Sequence, residues 1–458
     1  MKISRRYFLK AAGAVTLGFT GLHRVLDMWD PGVAFAAGAG YGDLVPDPDK
    51  LLNLPLGFKY QIFSQKGETM DDGLLVPGAH DGMAAFAGPN GKTLLVRNHE
   101  VNVGSDATGP FGEDSRLFGK VNTNLLYDTG KGGYRCPGGT TTLVFDTKTQ
   151  KLESHFMSLA GTLRNCAGGP TPWNSWVTCE ETVTKAGDYT AQNHGYNFEV
   201  PARADGKLVE AVPLKEMGRF NHEAIAVDPK SGVVYETEDR GDSLIYRYIP
   251  NSPGELAKGG RLQALVVRDQ KSLDTRNWEK TTIKQGQQLD VMWIDMDEID
   301  SPNDDLRKRG HDKGAALFAR GEGAWYGNDG IYLACTNGGK AKKGQIWKYI
   351  PSPHEGTAEE EKQPGQLILF NEAKGTGLIE NADNITVAPW GDLIVCEDSK
   401  DDDRLVGITP AGEIYPLAHN VRNNSEVAGV TFSPDGTTMF FNIQGLGYTL
   451  AVTGPWQK

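Results

Sequence analysis

Basic residues are scarce in this 458-residue chain. Its 47 lysines and arginines are outnumbered by 59 aspartates and glutamates, so the formal net charge is −12 at pH 7. Nucleic acids and anionic membranes bind proteins through clustered positive charge, and we therefore expect neither as a partner. An excess of carboxylates instead favours the binding of divalent cations.

Long apolar runs are also missing. Residues 4–10 carry two consecutive arginines and are followed by a mild apolar run over residues 11–22, too short and too rich in Gly and Ala to span a membrane. An Ala-Phe-Ala sequence at 34–36 is typical of a signal cleavage site. We predict that residues 1–36 are a twin-arginine signal peptide. The mature protein would then be periplasmic or secreted, without a stable membrane anchor, after export by the twin-arginine machinery.

Cysteine is rare, and the spacing of the cysteines matches no zinc-ribbon motif. The five cysteines contain no Cys-x-x-Cys pair, which excludes zinc-ribbon and thioredoxin-like signals. An odd number of cysteines in an exported chain leaves at least one of them free, metal-bound or in an intermolecular bond.

Helical periodicity is absent over any long segment, whereas short β-like runs recur between turn signals. The 57 glycines imply many tight turns. A unit of strand, Pro/Asp/Gly turn, strand and polar residue recurs at 224–239, 384–398 and 429–442, and more loosely at 81–100. Repeated β units of this kind are typical of a β-propeller.

We accordingly predict an all-β fold, a six-bladed β-propeller in a single domain. Residues 37–74 would form an N-terminal arm and residues 75–458 the propeller domain, and we expect a monomer.

Polar residues accompany nearly every predicted inner strand. In a propeller the inner strands surround a channel, so residues beside them converge at one mouth. The residues concerned are Asn98, Glu100, Asn165, Cys166, Asn221, His222, Glu223, Arg320, Glu322, Asp383, Asn384 and Glu426. A ring of carboxylates with little basic compensation is self-repulsive unless cations occupy it.

The chemistry of this set points to two kinds of metal ion. Carboxylates and amides suit Ca²⁺, whereas a thiolate among them suits iron or zinc. Arg320 is either a clamp for phosphate or carboxylate or only the ion-pair partner of Glu322. His99 and His222 are expected to orient carboxylates rather than bind metal.

The segment 164–181 is the densest in metal-binding and backbone-fixing residues. We interpret residues 166–172 as a rigid Gly/Pro loop and residues 173–179 as the inner strand that follows it. By itself Cys166 would be a buried free thiol, but the polar residues at matching positions favour a ligand role. Cys179 is expected to be a buried free thiol, and Glu180 and Glu181, at the far end of the strand, are not expected to be ligands.

The chain resembles the PhoX family of twin-arginine-exported alkaline phosphatases. The matching motifs occur in family order: RNHE at 97–100, RNCAGGPTPW at 164–173, TCEE at 178–181, GRFNHEA at 218–224, ED at 238–239, RGE at 320–322, DN at 383–384, AGVTFSPDG at 428–436 and GPW at 454–456. The resemblance implies a six-bladed propeller phosphomonoesterase that holds iron and calcium and hydrolyses small phosphate esters with a metal-activated oxygen nucleophile.

The resemblance also implies individual roles. Cys166 would bind iron, and Arg320 would bind phosphate. The carboxylate ligands would be Glu100, Glu223, Asp239, Glu322 and Asp383, with Asn98 or Asn165 as a further ligand.

One departure and two alternatives remain. The family's second phosphate-binding cation, a lysine near the C-terminus, has no counterpart, because Lys458 is the only Lys or Arg after Asn442. A calcium-dependent propeller lactonase would need a single metal and no cysteine ligand. A non-catalytic propeller that binds metal or a partner protein would show no turnover.

Overall fold

The structure is a computed structural model that describes residues 39–375, 377–400 and 403–457. The segment predicted as a twin-arginine signal lies outside these residues. The described chain is built almost entirely from short antiparallel strands, as the glycine-rich turns and alternating apolar residues predict. None of its helices combines the length and apolar character that crossing a bilayer requires.

The strands, in chain order, are β1 Leu44–Val45, β2 Leu52–Pro55, β3 Lys59–Gln65, β4 His80–Ala87, β5 Thr93–His99, β6 Gly138–Asp146, β7 Lys151–Thr162, β8 Asn165–Pro170, β9 Ser175–Glu180, β10 Asn197–Pro201, β11 His222–Val227, β12 Val234–Glu238, β13 Ile245–Pro250, β14 Gly260–Val267, β15 Gln288–Asp295, β16 Gly321–Gly327, β17 Gly330–Cys335, β18 Gln345–Ile350, β19 Gln366–Glu372, β20 Ala382–Val387, β21 Leu393–Glu397, β22 Arg404–Ile408, β23 Ile414–Asn420, β24 Val427–Phe432, β25 Thr438–Ile443 and β26 Tyr448–Thr453. Within the residues that the structure describes, the α-helix α1 spans Leu306–Asp312. Single 3₁₀ turns lie at Pro89–Gly91, Asp106–Thr108, Glu113–Ser115, Phe118–Lys120, Thr123–Leu125, Lys215–Met217, Leu256–Lys258 and Ala358–Lys362.

These strands form sheets in which sequence neighbours are paired. The sheet orders are β4-β5-β6-β7, then β10-β9-β8, then β20-β21-β22-β23 extended by β2 and β1, and β24-β25-β26 extended by β3. The strands from β11 to β19 form one long sheet, because β15 pairs with β19 and so joins β11-β12-β13-β14-β15 to β16-β17-β18-β19. Two N-terminal strands, β2 and β3, thus complete sheets made by the C-terminal half.

The sheets are arranged like the blades of a propeller. The first strands β4, β8, β11, β16, β20 and β24 each contact the next one around a common axis, and β24 contacts β4 to close the ring. Apolar side chains fill the spaces between adjacent sheets. Trp176 on β9, for example, shares a buried cluster with Phe86 on β4 and Leu94 on β5. The predicted all-β, propeller-like fold is therefore confirmed.

All six of these inner strands are interrupted near their start. Each pairs with its neighbour at the first residues, then shifts register by a β-bulge: after His80, Asn165, His222, Gly321, Ala382 and Ala428. The residues that begin the shifted stretch in the first five strands are Asp81, Cys166, Glu223, Glu322 and Asp383. In β24 the shift comes one residue later, so Ala428 takes the place of these residues and Gly429 corresponds to Gly82. A β-bulge redirects the side chain it carries. The repeat therefore gives five polar side chains equivalent placements.

The sixth bulge, at Gly429, needs glycine for two reasons. Its φ is +64°, and a Cβ there would lie 2.4 Å from the Asp81 carbonyl oxygen and 2.7 Å from Asn442 Nδ2. Gly436 has a similar φ of +69°, but a Cβ would meet only Pro389 Cγ, at 3.4 Å.

We expect Gly429→Ala to destabilise the protein more than Gly436→Ala. Both variants incur the left-handed backbone penalty of about 1–2 kcal/mol. Only Gly429→Ala adds an overpacking cost, of roughly 1–3 kcal/mol. Urea unfolding of the two variants measures the difference, and equal midpoints would show that the close approach at Gly429 is not tight.

Candidate functional site

Four overlapping groups of metal-binding side chains lie around the propeller axis. In each group the ligand atoms lie within 4.8 Å of one another. The groups are Asp81, Glu100 and Cys166; Cys166, Glu181 and Glu223; Glu223, Glu322 and Asp383; and Asp383, Asp398 and Glu426. Because neighbouring groups share a member, they form one continuous cluster, which we call the acidic ring.

The bulges of the inner strands position the deeper layer of this ring. Asp81, Cys166, Glu223, Glu322 and Asp383 occupy equivalent places in five strands. A small residue follows in four of them, in Asp81-Gly82, Cys166-Ala167, Glu223-Ala224 and Glu322-Gly323. At Gly82 a Cβ would come within 2.6 Å of the Ala167 Cα atom, so neighbouring strands approach closely here. Close strand approach brings the ligand atoms together.

The second strand of each repeat returns to the same mouth and supplies the upper layer. Glu100, Glu181, Asp239 and Asp398 directly follow the ends of β5, β9, β12 and β21. The backbone N–H group of each of these residues donates a hydrogen bond to a carbonyl oxygen on the neighbouring inner strand. The acceptor lies two residues before the bulge residue of that strand; for example, Glu181 donates to Arg164 and Asp398 to Asn381. The same bond links Thr336 to Arg320 and Gln444 to Glu426 in the remaining repeats.

Two arginines lie at the mouth of the ring. Arg320 donates from Nε to Asp239 Oδ1 at 2.7 Å and from Nη2 to Asp239 Oδ2 at 2.8 Å, and Nη2 lies 3.0 Å from Glu322 Oε1. Arg164 pairs through Nη2 with Glu100 Oε1 at 2.5 Å and with Glu181. Both cations lie beside carboxylates that would otherwise repel one another.

The ring holds more negative charge than the two arginines compensate. Burial, reinforced by the neighbouring carboxylates, raises the pKa values of Asp81, Glu223, Glu322 and Glu426 well above the ordinary range. Burial likewise raises the pKa values of Asp383 and Glu181 to about 7. The pKa of the Cys166 thiol is raised by burial and by Asp81 and Glu223. These groups would ionise readily only with cations among them.

The donor set fits metal ions. Cys166 Sγ lies 3.2 Å from Glu223 Oε1 and 3.9 Å from Asp81 Oδ2. Glu223 Oε2 is buried, and no hydrogen-bond donor reaches it from the described residues. A thiolate with carboxylates suits a transition metal, and the purely oxygen groups suit a hard cation such as Ca²⁺.

The structure brings most of the residues proposed from the sequence to this ring. Cys166, Glu100, Glu223, Glu322 and Asp383 all belong to its groups. Asp239 lies in the upper layer, where both its oxygens accept from Arg320.

The amides are placed differently from expectation. Asn98 Nδ2 donates to the Cys166 and Ala167 carbonyls, and its Oδ1 accepts from Trp176 and Thr178. Its amide therefore holds the Cys166 segment, and no atom of it is left to bind a metal. Asn165 is likewise engaged, by Thr162 and Thr178.

The two histidines lie outside the ring. His99 contacts the Gly78 carbonyl and the Thr141 hydroxyl. His222 contacts the Gly218 carbonyl and, through Nδ1, Glu236 at 3.3 Å. His222 thus positions a buried carboxylate, but not one of the ring.

The interpretation of residues 166–172 as a loop is wrong. Residues 165–170 form the inner strand β8, and the Trp-containing segment is the second strand, β9. Two strands that run antiparallel return to the same mouth, so Glu181 at the end of β9 lies beside Cys166 rather than far from it. Cys179, within β9, is fully buried in the apolar core.

Four ring carboxylates were not proposed as ligands: Asp81, Glu181, Asp398 and Glu426. The signal that identifies the deeper layer is a carboxylate or thiol followed by a small residue at the start of an inner strand, which Asp81-Gly82 also satisfies. For the upper layer the signal is an acidic residue directly after the second strand, as in Glu100, Glu181 and Asp398.

A separate buried group consists of Asp128, Cys136 and His194. His194 Nδ1 lies 2.6 Å from Glu180 Oε1, and Nε2 lies 3.4 Å from Asp128 Oδ2. Although burial opposes the charge, Glu180 and Asp128 raise the His194 pKa to about 12. The Asp128 oxygens also accept backbone N–H groups from Gly130, Ala191 and Gln192. The imidazole of His194 is thus held between two buried carboxylates, Glu180 and Asp128, outside the acidic ring.

The channel is nearly closed directly beneath the ring. The next residues along the inner strands, among them Gly82, Ala167, Ala224, Gly323 and Gly429, enclose about 20 Å³. This space holds about one water molecule. The ring is therefore reached from one face.

Comparisons with known proteins bear on the family and the fold. The model of the family described as "Alkaline phosphatase PhoX" matches residues 39–447. No curated protein sequence matches the chain. Among solved structures, PhoX from Pseudomonas fluorescens in complex with vanadate, a transition state analogue, is similar with a TM-score of 0.66 and 17% identity, over 90% of this chain and 98% of that one. A gluconolactonase from Xanthomonas campestris matches with a TM-score of 0.40 and 11% identity, over 91% and 99%.

Proposed function

Because this chain belongs to the alkaline phosphatase PhoX family, we propose that it hydrolyses phosphomonoesters at the acidic ring in a metal-dependent reaction. By its family the chain is a phosphoric monoester hydrolase. The observation that carries the proposal is the ring itself, in which one thiol and eight carboxylates converge beside two arginines. Such a set is costly to bury without cations.

We further propose that the propeller has six blades. The ring of six inner strands and the bulge that recurs once in each of them support this number.

The residues of the ring would divide between iron and calcium. Cys166, the soft donor, would hold iron together with neighbouring carboxylates of Asp81, Glu100, Glu181 and Glu223. The groups around Asp383, which contain only oxygen donors, would hold calcium. When bound, such ions polarise the phosphate and acidify the attacking water.

Arg320 would stabilise the equatorial oxygens of the phosphate as charge builds up on them. Asp239 fixes the orientation of its planar guanidinium in a bidentate pair and leaves Nη1 without a hydrogen bond to the described residues.

The cellular setting follows from the twin-arginine motif. We propose that the mature protein works as a monomer in the periplasm or outside the cell and takes small phosphate esters as substrates. The twin-arginine route carries folded proteins, and this suits a site assembled from six strands that lie far apart in sequence.

The direct test combines metal analysis with turnover of p-nitrophenyl phosphate, with and without added Ca²⁺ and after treatment with a chelator. We expect iron and calcium in the purified protein and activity that the chelator abolishes. A protein that contains metal but has no turnover would instead be a non-catalytic metal-binding propeller. Turnover of a lactone without the phosphate ester would indicate a lactonase.

Arg320→Ala should lower kcat/KM for p-nitrophenyl phosphate by about 10²- to 10³-fold, because a preorganised donor to the transition state is lost. Arg309→Ala is the matched control. Arg309 is also partly exposed and pairs with Asp297 and Asp305, but it lies on α1, outside the ring. Steady-state kinetics should show less than a twofold change for Arg309→Ala, and an equal change in both variants would contradict the clamp role.

A further inference from the structure

Arg164 and Arg320 occupy the same position in two different repeats. Each lies two residues before a bulge residue, Cys166 and Glu322 respectively. Each has a left-handed backbone, with φ of +47° and +53°. Each carbonyl accepts the N–H of the residue that follows the second strand of its repeat. Ala79 and Asn381, two residues before the bulge residues Asp81 and Asp383, have the same backbone, with φ of +43° and +54°. The conformation therefore belongs to the repeat, and it gives the two arginines equivalent placements.

The two guanidinium groups use their donors in the same way. In Arg320, Nε and Nη2 are engaged by Asp239 and Glu322. In Arg164, Nε donates to the Glu181 carbonyl at 3.0 Å, and Nη2 pairs with Glu100 and Glu181. Within the described part of the chain, Nη1 of each arginine makes no hydrogen bond to the protein. One donor group per arginine is therefore available to a ligand.

Asn221 links the two arginines across the repeat between them. Its Nδ2 donates to Glu181 Oε1 at 3.0 Å and to the Asp239 carbonyl at 3.2 Å. Glu181 holds Arg164 and Asp239 holds Arg320. The three repeats are thus joined in one hydrogen-bonded arc along a single side of the mouth.

The two arginines also differ in exposure from the ring below them. Their side chains are 30% and 39% exposed, whereas Glu223 is fully buried. Of the ring carboxylates, Asp398 is exposed and lies in another repeat, whereas Glu223 and Glu322 beside the arginines are buried. An anion that enters from the open face is therefore attracted to the side of the mouth where Arg164 and Arg320 hold positive charge.

We propose that Arg164 and Arg320 are the two arms of a clamp for the non-bridging oxygens of a phosphomonoester dianion, and that Arg164 determines the preference for monoesters over diesters. The inference rests on the proposed phosphomonoesterase function. A monoester dianion has three non-bridging oxygens and two negative charges, which two guanidinium groups can share. A diester has two such oxygens and one charge, so one arm suffices for it.

The competing interpretation is that Arg164 only neutralises Glu100 and Glu181. Loss of a merely structural arginine would impair both classes of ester alike. Loss of an arm of the clamp would impair the monoester selectively.

The test compares wild type, Arg164→Ala, Arg164→Lys and the control Arg309→Ala. The substrates are p-nitrophenyl phosphate and bis(p-nitrophenyl) phosphate, and metal content is measured on the same samples. For Arg164→Ala we expect a loss of about 10²-fold in kcat/KM for the monoester. The loss for the diester should be smaller, so that the ratio of the two falls at least tenfold. Arg164→Lys should recover part of the monoester activity, because it retains the charge without the fork geometry.

Calorimetric titration with inorganic phosphate provides a second readout, independent of turnover. The dissociation constant should rise at least tenfold in Arg164→Ala and less than twofold in Arg309→Ala. Equal losses for the two esters, or an unchanged phosphate affinity, would overturn the proposal. If Arg164→Ala loses metal ions, the same ratio and affinity are judged on Arg164→Lys. If wild type hydrolyses neither ester, the proposed function fails, and phosphate affinity still decides whether Arg164 binds the anion.

Discussion

Cys166→Ala should lose at least about 10³-fold in turnover of p-nitrophenyl phosphate, together with its iron. Cys166 offers the single sulfur atom in the acidic ring, and it contacts Glu223 and Asp81 from two neighbouring inner strands. Alanine removes the soft donor that distinguishes the iron position from the oxygen-only groups. A metal contributes several kcal/mol to stabilising charge in the transition state, and about 4 kcal/mol corresponds to 10³-fold.

Cys335→Ala is the control for this variant. Cys335 is also fully buried and on a strand, but it lies in the apolar core and belongs to none of the ring groups. It should keep its metal and its activity, whatever small cavity it creates. Metal content measured by mass spectrometry, alongside kinetics, separates the two variants. A Cys166→Ala protein that kept both iron and turnover would show that the thiol is not a ligand.

Removal of the metal ions should lower the thermal midpoint, and by more as the pH rises from about 4.5 to 8. In the metal-free protein burial raises the pKa values of Glu181 and Asp383 to about 7 and those of Asp81, Glu223, Glu322 and Glu426 further. The unfolded chain releases these protons near pH 4, whereas the folded chain retains them. Rising pH therefore favours the unfolded state over this window.

The metal-bound protein should lack this decline, because bound cations stabilise the ionised carboxylates. Glu223→Gln should raise the midpoint of the metal-free protein at pH 8, since glutamine removes a carboxyl group that ionises in the unfolded chain but is costly to ionise in the folded one. Glu279→Gln, at an exposed loop position, should have no such effect. Calorimetric scans at several pH values, with and without a chelator, measure all of these midpoints. A metal-free midpoint that rose between pH 5 and 8 would contradict the account.

The sequence was most informative about positions that repeat. Residues beside the predicted inner strands include Cys166, Glu223, Glu322 and Asp383, and the structure brings all four into the ring. Asn98 shares such a position, but hydrogen bonds to a neighbouring strand, which no sequence pattern reveals, use both its amide atoms.

The sequence did not reveal that residues 165–170 form a strand, nor how that strand pairs with β9. Residues 165–170 contain three consecutive small residues and a proline, a composition that argues against a central strand. They nevertheless form β8, where the bulge and the missing side chains allow close contact with neighbouring backbones. If that strand is interpreted as a loop, Glu181 is placed at the end of β9 away from Cys166, whereas the structure places the two side by side. An error of one strand in the topology therefore places a carboxylate at the opposite end of its strand.

The closed channel beneath the ring affects how substrate enters and how phosphate leaves. Small residues from the inner strands leave space there for about one water, so a released phosphate ion cannot leave through the channel. Substrate and product must therefore use the same entrance to the ring, beside which Arg164 and Arg320 lie. Under the proposed function, ambient phosphate then competes directly with incoming esters, and the enzyme runs fastest where free phosphate is scarcest.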